Sequence, residues 1–456
     1  ANKIYLSGGS LKYVDDATLY TTIGEETTSY DIQFNSLNLD ASNEQIVYAS
    51  DAQADDYFGN GVKISGNYAI IGSQYEDASA SNAGAAYIFH KSGRTWTQQA
   101  KLVSSDMATN DYFGHRVDIE GDYAIVGAYN KNSNTGAAYI FKRSGTSWTQ
   151  QSKLTASNAG SADEYGRAVG ISGDYAFVGA RREDTGGTDR GSVYIYVRSG
   201  TTWTQQAQIQ ASDAQDSDSF GWALSVDGDY AIVGAYLEDT GGSNAGSAYI
   251  FYRTGTTWSQ QAKIKASDKQ ADDRFGVSVD IKGEYAIVGA DSEDTGGTDA
   301  GAAYIFKRTG TTWSQQSKLT ASDAQADDKF GGYEQCVAIT SDYAVVGANQ
   351  EDAGGSNAGA AYVFSRSGST WTEVKKLTAS DTSTNDKFGM STAIDGTTLL
   401  IGAYNEGTKG SNAGAAYIFS KAPVGPNITY DGKNKLTVGG TNYEDTATVT
   451  DPNGST

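Results

Sequence analysis

Cysteine, proline and histidine are nearly absent from this chain of 456 residues, which has one cysteine, three prolines and two histidines. The single cysteine, Cys336, excludes an intramolecular disulfide framework and any metal cluster built from several cysteines. The shortage of proline argues against a proline-rich stalk, and 55 glycines favour many tight turns. No apolar run approaches membrane-spanning length, and the opening "ANKIYLSGG" is unlike a signal peptide, so we expect no membrane span.

Positive charge is also scarce, because 34 lysines and arginines face 55 acidic residues and leave a formal net charge of −21. Backbone binding to nucleic acid requires clustered lysine and arginine, so nucleic acid is not an expected partner. Cations and basic surfaces are the natural electrostatic partners of such a chain. The 30 tyrosines, 14 phenylalanines and seven tryptophans supply ample mass for a core.

One pattern recurs along the chain: GDYAIVGA at 121–128 returns at 228–235 and, as GEYAIVGA, at 283–290. It stands between two other landmarks, a preceding Phe-Gly or Tyr-Gly pair and a following segment similar to GAAYIF, and all three occur seven times. A fourth landmark, similar to TWTQQAKL, occurs only six times. The pairs begin at Phe58, Phe113, Tyr165, Phe220, Phe275, Phe330 and Phe388, mostly 55 residues apart. Such self-similarity is typical of repeat architectures.

Each unit reads as four short strands joined by hairpins, because alternating and short apolar segments are bounded by glycine, serine and threonine. Seven such units predict an all-β fold, a seven-bladed β-propeller of four-stranded blades. A solenoid is the alternative, but solenoids have atypical capping repeats at their ends. Here the missing piece lies at one end only, since the seventh unit lacks its tryptophan strand.

The segment before the first unit supplies the missing strand. "NEQIVYASDAQADDYFG" aligns with "TQQSKLTASDAQADDKFG", so about residues 43–49 are expected to complete the last blade and close the ring. The predicted organisation is therefore an N-terminal β extension at 1–42, a propeller at 43–420, and a C-terminal linker and partial β segment at 421–456. The head and tail share a pattern, which suggests either small β-domains or strand addition between molecules, against the alternative of chance similarity between polar β sequences.

These landmarks resemble the FG-GAP repeat family, the unit of integrin α-subunit propellers, and the resemblance covers about residues 43–420. It implies the propeller fold and, as a class, an extracellular or cell- or virion-surface protein acting in recognition, adhesion or scaffolding. The integrin calcium loops do not carry over, because the first hairpin of each unit is a bare "SGNY" or "EGDY" instead of D-x-D-x-D-G. Fold alone does not identify a ligand.

An acidic pair separated by four residues precedes nearly every Phe-Gly, and carboxylates at this spacing could hold Ca²⁺, which needs six to eight oxygens. The alternative is that each aspartate caps its own turn through backbone N–H groups. No cofactor is certain, and calcium is the one considered. The candidate ligands are Asp51, Asp56, Asp106, Asp111, Asp213, Asp218, Asp268, Asp273, Asp323, Asp328, Asp381 and Asp386. In the third unit the pair is Asn158 and Asp163.

The hairpins between third and fourth strands are basic and are expected on the face opposite the acidic loops. This polarity suggests head-to-tail self-association or docking of another protein, against the alternative of a solvated surface without a partner. The basic residues are Lys91, Arg94, Lys142, Arg143, Arg198, Arg253, Lys307, Arg308 and Arg366.

Most aromatic residues fall in strands, where core packing between blades is favoured over a carbohydrate platform. Trp222 differs because it directly follows a Phe-Gly, so we expect it near the channel mouth as a candidate ligand contact. His90 and His115 lack any HExxH or triad context, and a buried thiol is favoured over a nucleophile at Cys336.

The favoured hypothesis is a non-catalytic extracellular or surface protein that acts in adhesion or recognition, or as a subunit of a surface assembly or fibre. A polysaccharide- or calcium-binding module and an unrecognised hydrolase are the alternatives. Glycans are therefore a second class of partner beside other proteins.

Overall fold

The computed structural model describes residues 44–77, 80–93, 95–333 and 335–420 in full, and five short strands nearer the ends by their backbone alone. It separates into two compact units, Leu39–Ser420 and a unit made of Ala1–Asn38 with Lys421–Thr456. The predicted β extensions at both ends are confirmed as strands. They are Lys3–Ser7, Ser10–Val14 and Leu19–Ile23 in one antiparallel sheet, and Asn427–Tyr430 and Leu436–Gly439 in a hairpin. Pairing of head and tail between molecules stays a prediction.

The larger unit consists of seven antiparallel four-stranded sheets, as predicted. We number these blades from 1 to 7 and name the strands of each from first, at the channel, to fourth, at the rim. Blade 1 comprises Phe58–Ser65, Tyr68–Ser73, Ala85–Ser92 and Thr95–Leu102. Blade 2 comprises Val117–Glu120, Tyr123–Ala128, Ala137–Ser144 and Ser147–Leu154. Blade 3 comprises Tyr165–Ser172, Tyr175–Ala180, Ser192–Ser199 and Thr202–Ile209. Blade 4 comprises Leu224–Asp227, Tyr230–Ala235, Ser247–Thr254 and Thr257–Ile264. Blade 5 comprises Ser278–Lys282, Tyr285–Ala290, Ala302–Thr309 and Thr312–Leu319. Blade 6 comprises Val337–Ile339, Tyr343–Ala348, Ala360–Ser367 and Thr370–Leu377. Blade 7 comprises Phe388–Asp395, Thr398–Ala403, Ala415–Ser420 and Glu44–Val47. A single helical turn, Lys131–Asn134, follows the second strand of blade 2.

The hydrophobic core lies between blades, because successive side chains of a strand point to opposite faces of its sheet. The third strand of blade 5 shows this directly. Tyr304 and Phe306 pack in the cluster shared with blade 4, whereas Ala303 and Ile305 pack in the cluster shared with blade 6. Each sheet is therefore apolar on both faces, which is why a blade cannot stand alone and the repeats must stack.

The glycines of the repeat lie where two blades touch. A Cβ atom on Gly234, in the Gly-Ala of blade 4, would stand 2.0 Å from the carbonyl oxygen of Gly276, in the Phe-Gly of blade 5. Blade 7 contacts blade 1 in the same way, because a Cβ atom on Gly402 would stand 2.0 Å from the carbonyl oxygen of Gly59. Gly276 also has a φ of 99°, a conformation that costs glycine little. Backbone contact between neighbouring blades therefore explains both dipeptides.

The predicted closing segment is confirmed as Glu44–Val47, which pairs antiparallel with the third strand of blade 7. Glu44 accepts a hydrogen bond of 2.7 Å from the Ser380 hydroxyl. In blade 4, Gln260 at the matching position accepts the backbone N–H of Ser212 at 2.9 Å. The closing strand thus occupies the same register as the fourth strands of other blades, so the rim of blade 7 is completed from the opposite end of the propeller.

Candidate binding site at the channel mouth

The Phe-Gly loops and the loops that follow Gly-Ala emerge together at one end of the channel, which we call the mouth. In blade 5, the backbone N–H of Phe275 donates to the carbonyl oxygen of Ala245 at 3.0 Å, and Asn244 donates to the Asp272 carboxylate at 2.8 Å. Each Phe-Gly loop is therefore held on the loop of the preceding blade, and side chains from two blades meet at every junction.

Comparison of the seven blades separates framework from variable positions. The second, third and fourth strands repeat with few changes, whereas the residues around Phe-Gly and after Gly-Ala differ from blade to blade. Before Phe-Gly or Tyr-Gly stand Tyr57, Tyr112, Glu164, Ser219, Arg274, Lys329 and Lys387. After it stand Asn60, His115, Arg167, Trp222, Val277, Met390 and, past a three-residue insertion, Gln335. After Gly-Ala or Gly-Ser stand Gln74, Tyr129, Arg181, Tyr236, Asp291, Asn349 and Tyr404. Since all blades solve the same packing problem, variation at these positions points to a role other than packing.

Five tyrosines from blades 7, 1 and 2 form a continuous chain of ring contacts, which we call the aromatic arc. Tyr404 stacks on Tyr57 with centroids 5.4 Å apart, and Tyr57 contacts Tyr75 edge-on at 5.0 Å. Tyr75 contacts Tyr112 at 5.0 Å, and Tyr112 contacts Tyr129 at 5.6 Å. All five rings are half-buried. The arc thus gathers five half-buried phenol groups, each with an apolar ring and a polar hydroxyl group, and such side chains are enriched at interfaces.

Three arginines from blade 3 continue the arc, and we call Arg167, Arg181 and Arg182 the arginine cluster. The Arg167 guanidinium lies 4.8 Å from the Tyr129 ring centre and 4.5 Å from that of Trp222, and the Arg181 guanidinium lies 4.8 Å from the Trp222 ring. Glu164 accepts two hydrogen bonds from Arg181, of 2.6 and 2.9 Å, and lies 3.2 Å from Arg182. Glu164 therefore pairs with two of the three members of the cluster.

Trp222, the predicted ligand contact, lies in the mouth but holds other residues in place. Besides the two arginines, its ring contacts Tyr236 at 4.4 Å, and its Nε1 donates to the carbonyl oxygen of Val277 at 3.1 Å. The ring is half-buried. Direct contact with a ligand stays a prediction, and the geometry gives Trp222 a role in positioning Arg167 and Arg181.

The residue before Phe-Gly has a left-handed backbone in all seven blades. Its φ is 55° at Tyr57 and Tyr112, 56° at Glu164 and 59° at Arg274, although side chains other than glycine, asparagine and aspartate rarely adopt such values. Strain of this kind persists where surrounding structure demands it, and it clusters at functional sites. Here the conformation places variable side chains at the mouth.

The channel is crossed below the mouth by the insertion in blade 6. Gln335 Nε2 donates to the carbonyl oxygen of Val117 in blade 2 at 3.0 Å, which joins two blades that are not neighbours in the ring. Beyond it lies a pocket of about 150 Å³ lined by residues of the first strands. In that pocket Lys63 Nζ lies 3.3 Å from Asp280, and burial raises the pKa of Asp118 to about 6.

The first aspartate of each predicted metal pair belongs to an internal network. Asp51 accepts hydrogen bonds from the Tyr87 hydroxyl at 2.8 Å and from Lys101 Nζ at 2.7 Å, and Lys101 also pairs with Glu76 at 2.8 Å. Burial opposes ionisation of Asp51, but these hydrogen bonds outweigh it and lower the pKa of its carboxyl group. A tyrosine of the third strand bonds every first aspartate: Asp51, Asp106, Asp213, Asp268, Asp323 and Asp381.

The second aspartate of each pair accepts the backbone N–H three residues earlier. In blade 5, Asp273 accepts the N–H of Gln270 at 2.6 Å, and burial raises the pKa of its carboxyl group to about 6. The same bond is made by Asp56, Asp111, Asp218, Asp273, Asp328 and Asp386. Within the described part of the chain, no group of three or more histidine, cysteine, aspartate or glutamate side chains is placed to hold a metal ion. Turn capping thus occupies these carboxylates, and calcium binding stays a prediction.

The hydrogen-bond network around the first aspartates also includes a buried glutamate. Among the described residues, one carboxylate oxygen of that glutamate lacks a hydrogen-bond donor in three blades. In blades 3 and 4, Ser192 and Ser247 donate to Glu183 and Glu238 at 2.6 and 2.7 Å. In blades 5 to 7 alanine stands at the serine position. Among the described residues the second carboxylate oxygen there has no hydrogen-bond partner, and the glutamates are Glu293, Glu351 and Glu406.

Replacing Ala302 with serine is therefore expected to stabilise the protein by about 1 kcal/mol, because the new hydroxyl can donate to Glu293 as Ser247 does to Glu238. Thermal unfolding of the purified variant measures the gain. Ala303→Ser is the matched control, since that side chain packs in the apolar cluster shared with blade 6 and its hydroxyl would lower the stability. A loss of stability in Ala302→Ser would contradict the assignment.

The predicted basic face carries both signs of charge. Arg143, Arg198, Arg253 and Arg366 pair with aspartates of the adjoining hairpins, which are Asp122, Asp174, Asp229 and Asp342. Each arginine also stacks on a tyrosine of the preceding blade, as Arg253 does on Tyr175 at 4.5 Å. Of the other basic residues in this prediction, Arg94 lies outside the described residues. These arginines join neighbouring blades, and head-to-tail association stays a prediction.

The two histidines and the cysteine have structural contacts. His115 Nδ1 lies 2.6 Å from Gln74 Oε1 at the mouth, and the His90 ring contacts the Tyr68 ring in a tilted arrangement with centroids 4.7 Å apart. Cys336 is buried, and burial raises the pKa of its thiol to about 12. A thiol with so high a pKa stays protonated and is a weak nucleophile.

Comparison with known proteins agrees with the repeat pattern. A family model described as an FG-GAP repeat matches residues 42–89, 96–141, 148–196, 203–251, 258–306, 313–364 and 371–419. No curated protein matches the chain. One solved structure that matches the chain is a Bacteroides uniformis protein whose assignment as a 6-phosphogluconolactonase is provisional. It is 12% identical, with a TM-score of 0.48 over 70% of this chain and 85% of that chain. Within the described residues, no helix is long and apolar enough to cross a membrane.

Proposed function

The chain belongs to the FG-GAP repeat family, and on that premise we propose that its propeller is a non-catalytic recognition module of an extracellular or surface protein, with its ligand site at the mouth. FG-GAP repeats are typical of extracellular proteins, and the favoured role within that class is adhesion or recognition. The module presents its mouth to a partner molecule, while the blades serve as a rigid support.

One observation carries this proposal: the variable residues of seven otherwise similar blades converge at the mouth as an aromatic arc beside an arginine cluster. Tyrosine, tryptophan and arginine are the side chains enriched at binding hot spots. Functional residues are commonly carried on loops that a rigid scaffold positions, as these are. The acid beside the cluster, Glu164, is ion-paired with two arginines, which suits a structural carboxylate better than a general acid or base.

Replacing Tyr75 or Tyr112 with alanine is expected to weaken ligand binding about tenfold or more, because each ring is a central member of the arc. The measurement is binding of a panel of neutral and acidic oligosaccharides and peptides to immobilised protein. Tyr252→Ala is the matched control, because Tyr252 is also half-buried and contacts another tyrosine, Tyr230, at 4.7 Å, but lies in the third strand of blade 4 away from the mouth.

Thermal unfolding of each variant establishes that its propeller is intact. Equal loss of binding in Tyr252→Ala, or full binding in both mouth variants, would place the ligand elsewhere and contradict the proposal. Release of cleavage products from any oligosaccharide of the panel would contradict the non-catalytic role.

A further inference from the structure

Resting on the proposed recognition function, we infer that the mouth binds a neutral saccharide, with its sugar rings on the aromatic arc and its hydroxyl groups bonded to tyrosine hydroxyl groups. The tyrosines concerned are four members of the arc, Tyr57, Tyr75, Tyr112 and Tyr404, which we call the tyrosine quartet. The inference depends on the unused hydroxyl groups of the quartet, on their closeness to one another, and on the uncharged positions that carry them.

The hydroxyl groups of the quartet are available to a ligand. None of them bonds another described residue, and none of their oxygen atoms is buried. In contrast, the tyrosine of the segment GAAYIF or its variant donates its hydroxyl group in every blade, as Tyr304 does to Asp268 at 2.9 Å. The repeat therefore supplies a partner where a tyrosine serves the framework, and it supplies none to the quartet.

The hydroxyl groups of the quartet lie close together although they come from three blades. Burial raises the pKa of Tyr75, and the phenol groups of Tyr112 and Tyr57 raise it further. Burial also raises the pKa of Tyr404 to about 12, with smaller contributions from Tyr333, Tyr57 and Tyr75. Because such electrostatic effects fall off with distance, these hydroxyl groups are neighbours, and one ligand can reach several of them.

The quartet occupies positions that carry charge in other blades. The residue before Phe-Gly or Tyr-Gly is tyrosine in blades 1 and 2 but is charged in four blades. The charged residues are Glu164, Arg274, Lys329 and Lys387. Two charges of opposite sign act on the quartet from beside it, since Asp55 adds to the effect of burial on the pKa of Tyr57 and Arg167 opposes that effect at Tyr75. The quartet itself therefore presents uncharged groups, which suit an uncharged ligand.

The chemistry of the quartet favours a saccharide over a proline-rich peptide. A pyranose ring has an apolar C–H face that stacks on aromatic rings, and its hydroxyl groups both donate and accept hydrogen bonds, as a phenol does. A proline-rich peptide also docks on aromatic surfaces, but its proline residues offer only carbonyl acceptors. The ring contacts of the quartet continue across three blades, so several sugar units of one chain can contact it.

The test measures binding of the full-length protein to maltohexaose, cellohexaose, mannohexaose, chitohexaose and a polyproline peptide by titration calorimetry. We expect at least one of these neutral oligosaccharides to bind, with an affinity that added salt changes less than about twofold. The double variant Tyr75→Phe/Tyr404→Phe is expected to weaken this binding about tenfold, because it removes two hydroxyl groups and keeps both rings. Since neither hydroxyl group bonds a described residue, this variant should unfold at the same temperature as the unchanged protein.

Tyr252→Phe is the matched control, because the Tyr252 hydroxyl group also bonds no described residue but lies in the third strand of blade 4, away from the mouth. Equal weakening by this control would overturn the inference. Full saccharide binding by the double phenylalanine variant, or binding of polyproline alone that Tyr112→Ala abolishes, would overturn saccharide recognition while leaving the recognition function standing. Saccharide binding that neither the phenylalanine variant nor Tyr112→Ala weakens would contradict the inference and the proposed function together.

Discussion

Replacing Gly234 with alanine is expected to destabilise the propeller by more than about 3 kcal/mol, because the new methyl group would stand 2.0 Å from the carbonyl oxygen of Gly276. The obstacle is backbone from the next blade, so no side-chain rotation can relieve the clash. The two blades would have to separate, and with them the apolar cluster between Ile250 and Tyr304. The midpoint of thermal or urea unfolding measures the loss.

Gly255→Ala is the matched control for this substitution. Gly255 also has a positive φ, of 63°, but a Cβ atom there would have nothing within 4 Å. Its replacement should lower the free energy of unfolding by only about 1–2 kcal/mol, the cost of a left-handed backbone at a residue with a Cβ atom. If Gly234→Ala proved no more harmful than Gly255→Ala, blade contact would not be the reason for the repeated Gly-Ala.

A chain that begins at Tyr48 is expected to lose about 5 kcal/mol or more of stability and to self-associate, because the third strand of blade 7 becomes an open edge. The deletion removes four paired residues, the buried Val47 side chain, and the reciprocal hydrogen bonds between Gln45 and the Trp96 backbone at 2.6 and 2.8 Å. Burial of one valine alone contributes about 1.5–3 kcal/mol. Thermal unfolding and light scattering measure the two effects.

A chain that begins at Asn43 is the control, since it keeps Glu44–Val47 and its pairing with blade 7. This chain is expected to unfold within a few degrees of the full-length protein. If the two shortened chains unfolded at the same temperature, the closing strand would contribute nothing to stability and the prediction would be wrong.

Much of the fold is predictable from local pattern because each blade repeats it. Alternating apolar residues in segments such as YAIVGA, and glycine at the turns, encode strands and hairpins without reference to distant residues. Alignment of 43–49 with the tails of the fourth strands was enough to predict the closing strand, which pairs with residues more than 360 positions away. Seven copies make such an alignment dependable.

The candidate site could be predicted only in part. Trp222 was noticed because it interrupts a repeated pattern, but the tyrosines of the arc look like ordinary strand or loop residues in the sequence. The spacing of Asp51 and Asp56 suggested metal ligands, whereas their partners, Tyr87 and Lys101, stand 36 and 50 residues from Asp51. The sequence does carry a signal for these residues, because the positions beside Phe-Gly and after Gly-Ala can be compared across the seven units.

The number of blades, the strands within them and the closure of the ring can all be read from short-range periodicity that repeats along the chain. Which variable residues become neighbours depends instead on the folded ring. Tyr404 meets Tyr57, and Gln335 reaches Val117, since the ring brings the ends of the chain together and directs one loop from each blade toward a common axis. Contacts made across an axis depend on loop conformation and ring geometry, which no single repeat encodes.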